Sequence, residues 1–322
     1  MSEKFPTENN RFKNLDWKMA KTVSLSILIG VMAAFAAKGL LLAINFTQNF
    51  LHPSPIGKLV EEQGIENASL TIWHAGTLVV MGLVVGLLTH YLMPNRANRG
   101  LSHVIEDVHF NNGQTGVKEG LAVGLISAVS IGAGASVGRY GPAVHLGAAV
   151  ASGIGTFFKL DDQEKLTLSC AGIAAAISAS FLAPMAAVIF VQEVVLRQWR
   201  LYQFIPTAAA AVAASETAKL LDVHFIIASN LVPDDVPAYE FLFFGLIGVL
   251  CAIVGIAFNR LLPMAAGWVA KNVKVDNRLK PAIGGMILAG IGFAYPSVLG
   301  LGGYETQMAV AGNIALKLCL TL

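Results

Sequence analysis

Residues 132–145 read Gly-Ala-Gly-Ala-Ser-Val-Gly-Arg-Tyr-Gly-Pro-Ala-Val-His, four glycines and one proline set between apolar runs. Pro142 suits the first position of a helix, where its missing N–H costs nothing, and the glycines before it let the backbone approach a neighbour closely. The amides of such a helix start, with the positive end of the helix dipole behind them, form an anion site that needs no formal charge. The same glycines also suit a packing contact, since small residues are favoured where membrane helices touch. On the residues alone both readings stand.

Composition places this stretch in a membrane. Only 13% of the 322 residues are Asp, Glu, Lys or Arg and 55% are hydrophobic, about half the charged share usual in soluble domains. Residues 67–95, 120–138, 140–158, 166–192, 241–259 and 281–304 carry no charge, and a bilayer core takes about 20 apolar residues per helical span. An all-α polytopic membrane protein is the expected fold class. A net charge of +2 without a long basic run leaves no electrostatic footprint for nucleic acid. Cys170, Cys251 and Cys319 lie far apart in apolar stretches, which reads as buried packing rather than a disulfide framework or a metal cluster.

Segments 22–50 and 68–93 are long enough to cross, and Pro94 ends the second. From 101 to 192, breaks at Gly132 to Gly141 and at Ala183-Pro184 cut the apolar sequence into shorter pieces. Irregular backbone at membrane depth is tolerated only where protein buries it or a watery cavity accepts it. Broken helices of this kind mark a binding site near the midplane.

Lys and Arg in short loops set orientation. Residues 1–21 hold Lys4, Arg11, Lys13, Lys18 and Lys21, and the 94–100 segment holds Arg96 and Arg99, whereas 51–66 has Lys58 against Glu61, Glu62 and Glu66. The N-terminal tail (1–21) and the 94–100 loop are therefore expected in the cytosol and 51–66 outside. Arg197 and Arg200, after the apolar run 181–196, are expected on the cytosolic side too. Gly82, Pro94 and Gly100 recur 202 residues on as Gly284, Pro296 and Gly302, and Leu28 to Val31 recurs as Leu246 to Val249. A first repeat over 22–238 and a second, incomplete one over 239–322 follow as an expectation.

Gly138-Arg139-Tyr140-Gly141-Pro142, with His145 and Gly147 after it, resembles the G-[KR]-E-G-P element of the CLC family of chloride channels and proton-coupled chloride transporters. Similarity continues through Ala171-Gly172 to Ala183-Pro184, through Phe190 to Glu193, and through Leu301 to Tyr304 and Ala311 to Asn313. The resemblance implies an inverted-repeat fold with broken helices, a homodimer in the lipid bilayer, and chloride as the transported ion without a cofactor. Anion contacts then fall to Gly138, Arg139, Tyr140 and Gly141, and to Gly100 or Ser102 where the family has a serine.

Two departures bear on mechanism. Tyr140 stands where the family has its gating glutamate, and a phenol, with a pKa near 10 in water, cannot replace a carboxylate as anionic plug or proton carrier. Glu193 and Val194 align with a Glu-Glu pair whose second member is the inner proton relay of transporters. Glu193 also reads as a helix-end carboxylate supported by Arg197 one turn on. His103 and His145 lack a carboxylate-rich ligand set and read as ordinary polar contacts rather than metal ligands. Family members continue past the equivalent of Leu322 with elements that complete the anion site and the dimer, so this chain reads as C-terminally truncated.

These readings predict passive, proton-independent movement of chloride or a similar inorganic anion, in the plasma membrane of a bacterium. The competing expectation is a truncated, non-transporting remnant or an interaction partner of a CLC protein. No Ser/His/Asp set or paired carboxylates at membrane depth point to an enzyme.

Overall fold

The computed structural model describes residues 8–51, 71–93, 100–223, 237, 239–302 and 306, with side chains from Trp17 onward. Readings made on Lys4, Lys58, Pro94, Arg96, Arg99, Tyr304, Asn313 and Cys319 lie outside the described residues, as do the side chains of Arg11 and Lys13. Among the described residues every regular element is helical. In order they are α1 (Glu8–Leu51), α2 (Ile72–Leu92), α3 (Leu101–Phe110), α4 (Val117–Gly132), α5 (Tyr140–Phe157), α6 (Asp162–Phe181), α7 (Pro184–Phe190), α8 (Leu201–Leu220), α9 (Glu240–Asn272) and α10 (Lys280–Ala294). A π-helical turn (Val191–Val195) follows α7 and a 3₁₀ turn (Pro296–Val298) follows α10. Helices α1, α2 and α9 are long and apolar enough to cross a membrane. From Glu8 the tail is already helix, continuous with the first span rather than separate from it.

Alanines and glycines at helical spacing build the core. Ala33, Ala34 and Ala37 of α1, Ala171, Ala175 and Ala179 of α6, and Ala210, Ala214 and Ala218 of α8 form one buried cluster. Small side chains let backbones approach closely, which is how helices associate in a solvent as apolar as they are. Gly30 of α1 lies against the Ala210 carbonyl, and a Cβ on either Gly147 or Gly172 would collide with the other's carbonyl oxygen. Ser178 on α6 donates a 2.6 Å hydrogen bond to the Ala211 carbonyl of α8. Helix α6 is thus buried along nearly its whole length by α1, α5, α7 and α8.

Leu28 to Val31 lie on α1 and Leu246 to Val249 on α9, while Gly82 lies on α2 and Gly284 on α10. Helices α2 and α10 also pack on each other. A Cβ on Gly82 would come within 2.6 Å of the Pro281 carbonyl, and one on Gly285 would strike the Leu78 carbonyl. Arg278, just before α10, contacts His90 near the end of α2 at 2.7 Å. By contrast α9 buries none of its residues. Cys251 on it is exposed, so the expectation of a buried thiol holds for Cys170 and fails for Cys251.

At the Lys18 end of α1, polar contacts close the bundle. Asp161 caps α6 with a capping box: its carboxylate accepts from the Glu164 N–H at 2.8 Å, and Glu164 accepts from the Asp161 N–H at 3.2 Å. Lys18 pairs with Asp161 at 3.5 Å and Lys21 with Glu164 at 3.6 Å. The Glu164 N–H, aided by the Lys18 ammonium and opposed by partial desolvation, holds the Asp161 carboxyl below its usual value. A carboxyl depressed in the folded state stabilises the protein above its unfolded pKa, and that contribution is lost as pH falls through the folded value. Asp161→Ala is therefore expected to cost about 0.5–2 kcal/mol at pH 7. Thermal unfolding in detergent at a series of pH values should show this difference shrinking below about pH 4.

Candidate functional site

The glycine-rich stretch leaves α4 through a Schellman turn. Gly134 takes φ 101, its N–H reaches the Ile131 carbonyl at 3.0 Å, and the Ala135 N–H reaches Ser130 at 3.1 Å. Positive φ favours glycine here. The Gly134 carbonyl accepts from the Gly300 N–H at 2.9 Å, tying this loop to the segment after α10.

Arg139 is the N-cap of α5, so the helix begins at Tyr140 and Pro142 occupies its third position rather than its first. The difference has little consequence for the proline, because any of the first turn's N–H groups lacks an intrahelical acceptor by construction. The Ala143 N–H makes the first turn's bond, 3.3 Å to the Arg139 carbonyl. The amides of Tyr140 and Gly141 point out of the helix start, where the dipole favours negative charge.

The space around each glycine differs along this stretch. Nothing lies within 4 Å of a Cβ built on Gly138 or Gly141, and neither has positive φ. Gly132, a few residues earlier, is pressed against Thr47, and Gly147 against Gly172. Packing therefore explains Gly132 and Gly147 but not Gly138 and Gly141, which front open space.

Tyr140 stacks on Phe181, the last residue of α6, with ring centroids 4.3 Å apart and planes 24° apart. The Arg139 guanidinium carbon lies 5.9 Å from the centroid of the same ring. Beyond Phe181, Leu182 caps α6 in the left-handed region (φ 53), and Ala183-Pro184 opens α7. A leucine there is strained by about 1–2 kcal/mol, and a residue before proline is steered away from helix. Phe181 was not singled out from the sequence; its only signal was an aromatic beside the proline break.

Gly100 is the N-cap of α3, and the Nε2 of His145 sits 3.0 Å from its carbonyl. His145 is 1% exposed. This bond joins the start of α3 to α5 and gives His145 the ordinary polar contact expected of it. His103 likewise pairs with Glu106 at 3.1 Å. Ser102 instead lines an open groove of about 550 Å³ with Ile105, Glu106, His109, Phe110 and Arg197.

Glu193 and Val194 are both exposed on the π-helical turn. No ion pair joins Glu193 to Arg197 among the described residues, against expectation. The chain leaves helical geometry there: Leu196 bonds back five residues to Val191, and Arg197 takes φ 54. A four-residue spacing no longer puts two side chains on one face.

The fold and this site define an all-α membrane protein with interrupted helices, one of which begins on an open glycine turn. The chain belongs to the voltage gated chloride channel family, whose model matches residues 81–322. It is 27% identical over 279 residues to an H⁺/Cl⁻ exchange transporter of Vibrio parahaemolyticus, covering 83% of this chain and 56% of that one. It is 25% identical over 281 residues to a chloride/fluoride channel protein of Pseudomonas syringae pv. tomato, covering 84% and 56%. The structure of a slow cyanobacterial Cl⁻/H⁺ antiporter superposes with a TM-score of 0.73 at 18% identity, covering 93% of this chain and 70% of that one. The chain thus spans under three fifths of the length of these curated relatives.

The His145 bond should carry measurable stability. Losing a buried hydrogen bond costs roughly 1–3 kcal/mol, so His145→Leu is expected to lower the detergent melting temperature. It should also speed thiol labelling at Ser102→Cys as the start of α3 loosens.

Proposed function

We propose that this chain carries an anion-conducting pathway for chloride or a similar inorganic anion, entered at the start of α5 and not coupled to protons. The observation that carries the reading is the open space in front of Gly138 and Gly141, at a helix start whose dipole favours an anion. Family membership supports transport rather than catalysis. Gly100, Arg139 and Tyr140 join the site as its second backbone element, its nearby cation and its gate. Ser102, which lines a separate groove with Arg197, is taken as a further contact along the route.

Relatives include a channel and exchangers, so the mode is read from the residues. The gate position is Tyr140 and the inner relay position Val194. Neither side chain carries a proton between the two sides, and the exposed Glu193 is one helical position away from the relay.

The reading places the N-terminus in the cytosol of a bacterial cell and the protein in its plasma membrane, as a homodimer. Lys18 and Lys21 at one end of α1 support this orientation. So do Lys271, Lys274 and Lys280, which flank Arg278 where it meets the end of α2. Basic residues between spans favour the cytosolic side.

Protein reconstituted in sealed vesicles should release chloride down its gradient without moving protons. Proton uptake against its gradient that stops when chloride is removed would overturn the uncoupled reading.

A further inference from the structure

Helices α5 and α6 are locked where Gly147 and Gly172 meet. From that crossing Tyr140 lies about 10 Å along α5 and Phe181 about 14 Å along α6. Both helices end there, yet their terminal rings meet at 4.3 Å in a near-parallel stack. Phe181 ends the buried helix α6, and Leu182 after it caps that helix at φ 53. Tyr140 is 36% exposed in the first turn of its helix, with the Arg139 guanidinium carbon 5.9 Å from its ring centroid.

We infer that Phe181 is a positioning residue that latches the Tyr140 ring beside Gly138–Gly141 and so restricts access to the α5 start. The inference rests on the reading of those glycines as the anion's entry. A carboxylate at position 140 would be held by charge and released by protonation; an aromatic ring held by stacking is released by rotation. Phe181 therefore sets how often the path stands open. Stacked aromatic pairs contribute beyond their buried area, which corresponds to a change in the open population of about three- to tenfold.

The test reads access directly and does not need transport. In a Cys251→Ser, Cys319→Ser background, where the remaining Cys170 is buried, Gly141→Cys is labelled in detergent with an anionic methanethiosulfonate. Phe181→Ala and Phe181→Leu are expected to raise the labelling rate about three- to tenfold, while Phe181→Tyr, which keeps the stack, leaves it near that of the parent. Leucine keeps an apolar side chain at 181 if alanine disrupts the fold. In parallel, the fluorine resonance of 3-fluorotyrosine at 140, assigned through Tyr140→Phe, should move in Phe181→Leu and stay close in Phe181→Tyr. Equal labelling rates in parent, alanine and leucine variants, or an unmoved fluorine resonance, would overturn the latch. A chain that labels as predicted yet passes no anion would overturn the transport reading and leave the latch standing.

Discussion

Gly147 and Gly172 meet backbone to backbone, each leaving no room for a side chain on the other. This contact fixes where α5 can lie. With α6 held by the alanine faces of α1 and α8, α5 is brought against the bundle's most buried helix. Its first turn is thereby set beside the end of α6, with Tyr140 exposed and Gly141 half-buried. A helix start that faces no lipid-filled surface can find partners for its amides, whereas lipid offers none. The break at Gly132 to Gly141, the Schellman turn at Gly134 and the tie from Gly134 to Gly300 all serve to end one helix and begin another there.

The glycines consequently divide by physical role. Gly30, Gly82, Gly147, Gly172 and Gly285 are small because another backbone is touching them, and Gly134 because its φ is positive. Gly138 and Gly141 meet neither condition. Residues that are small without an internal reason, at the positive end of a helix, fit a ligand that must approach the amides. Under the proposed reading that ligand is an anion, and the stacked Tyr140 and Phe181 rings stand beside the turn.

Much of this was legible in the sequence, because composition and charge-free runs report the solvent directly and prolines report breaks. The helices fall where those runs lie, and of the pairs 202 positions apart Gly82 lies on α2 and Gly284 on α10. Two readings of the Gly138 to Gly141 turn stand on the sequence because glycine is favoured by close packing and by ligand approach alike; the structure adds that no described neighbour lies within 4 Å of where a side chain would start at either glycine. Pairings that depend on local departures from helix were hidden. Arg197 looked one turn from Glu193 until the π-helical turn and a left-handed residue carried it elsewhere. The Tyr140–Phe181 stack joins residues 41 apart, with nothing in their types to announce it. The exposure of Cys251 followed from α9 as a whole, which a single apolar run cannot reveal.

The central claim is that Gly141 is a glycine for the sake of an anion and not for packing. The most direct measurement is chloride flux from vesicles carrying Gly141→Val, set beside its thermal stability in detergent. The account predicts an unchanged melting temperature, since the side chain enters open space, with flux lowered at least about tenfold by loss of an anion-to-amide hydrogen bond. Flux equal to the parent's in a variant that folds as well would contradict it.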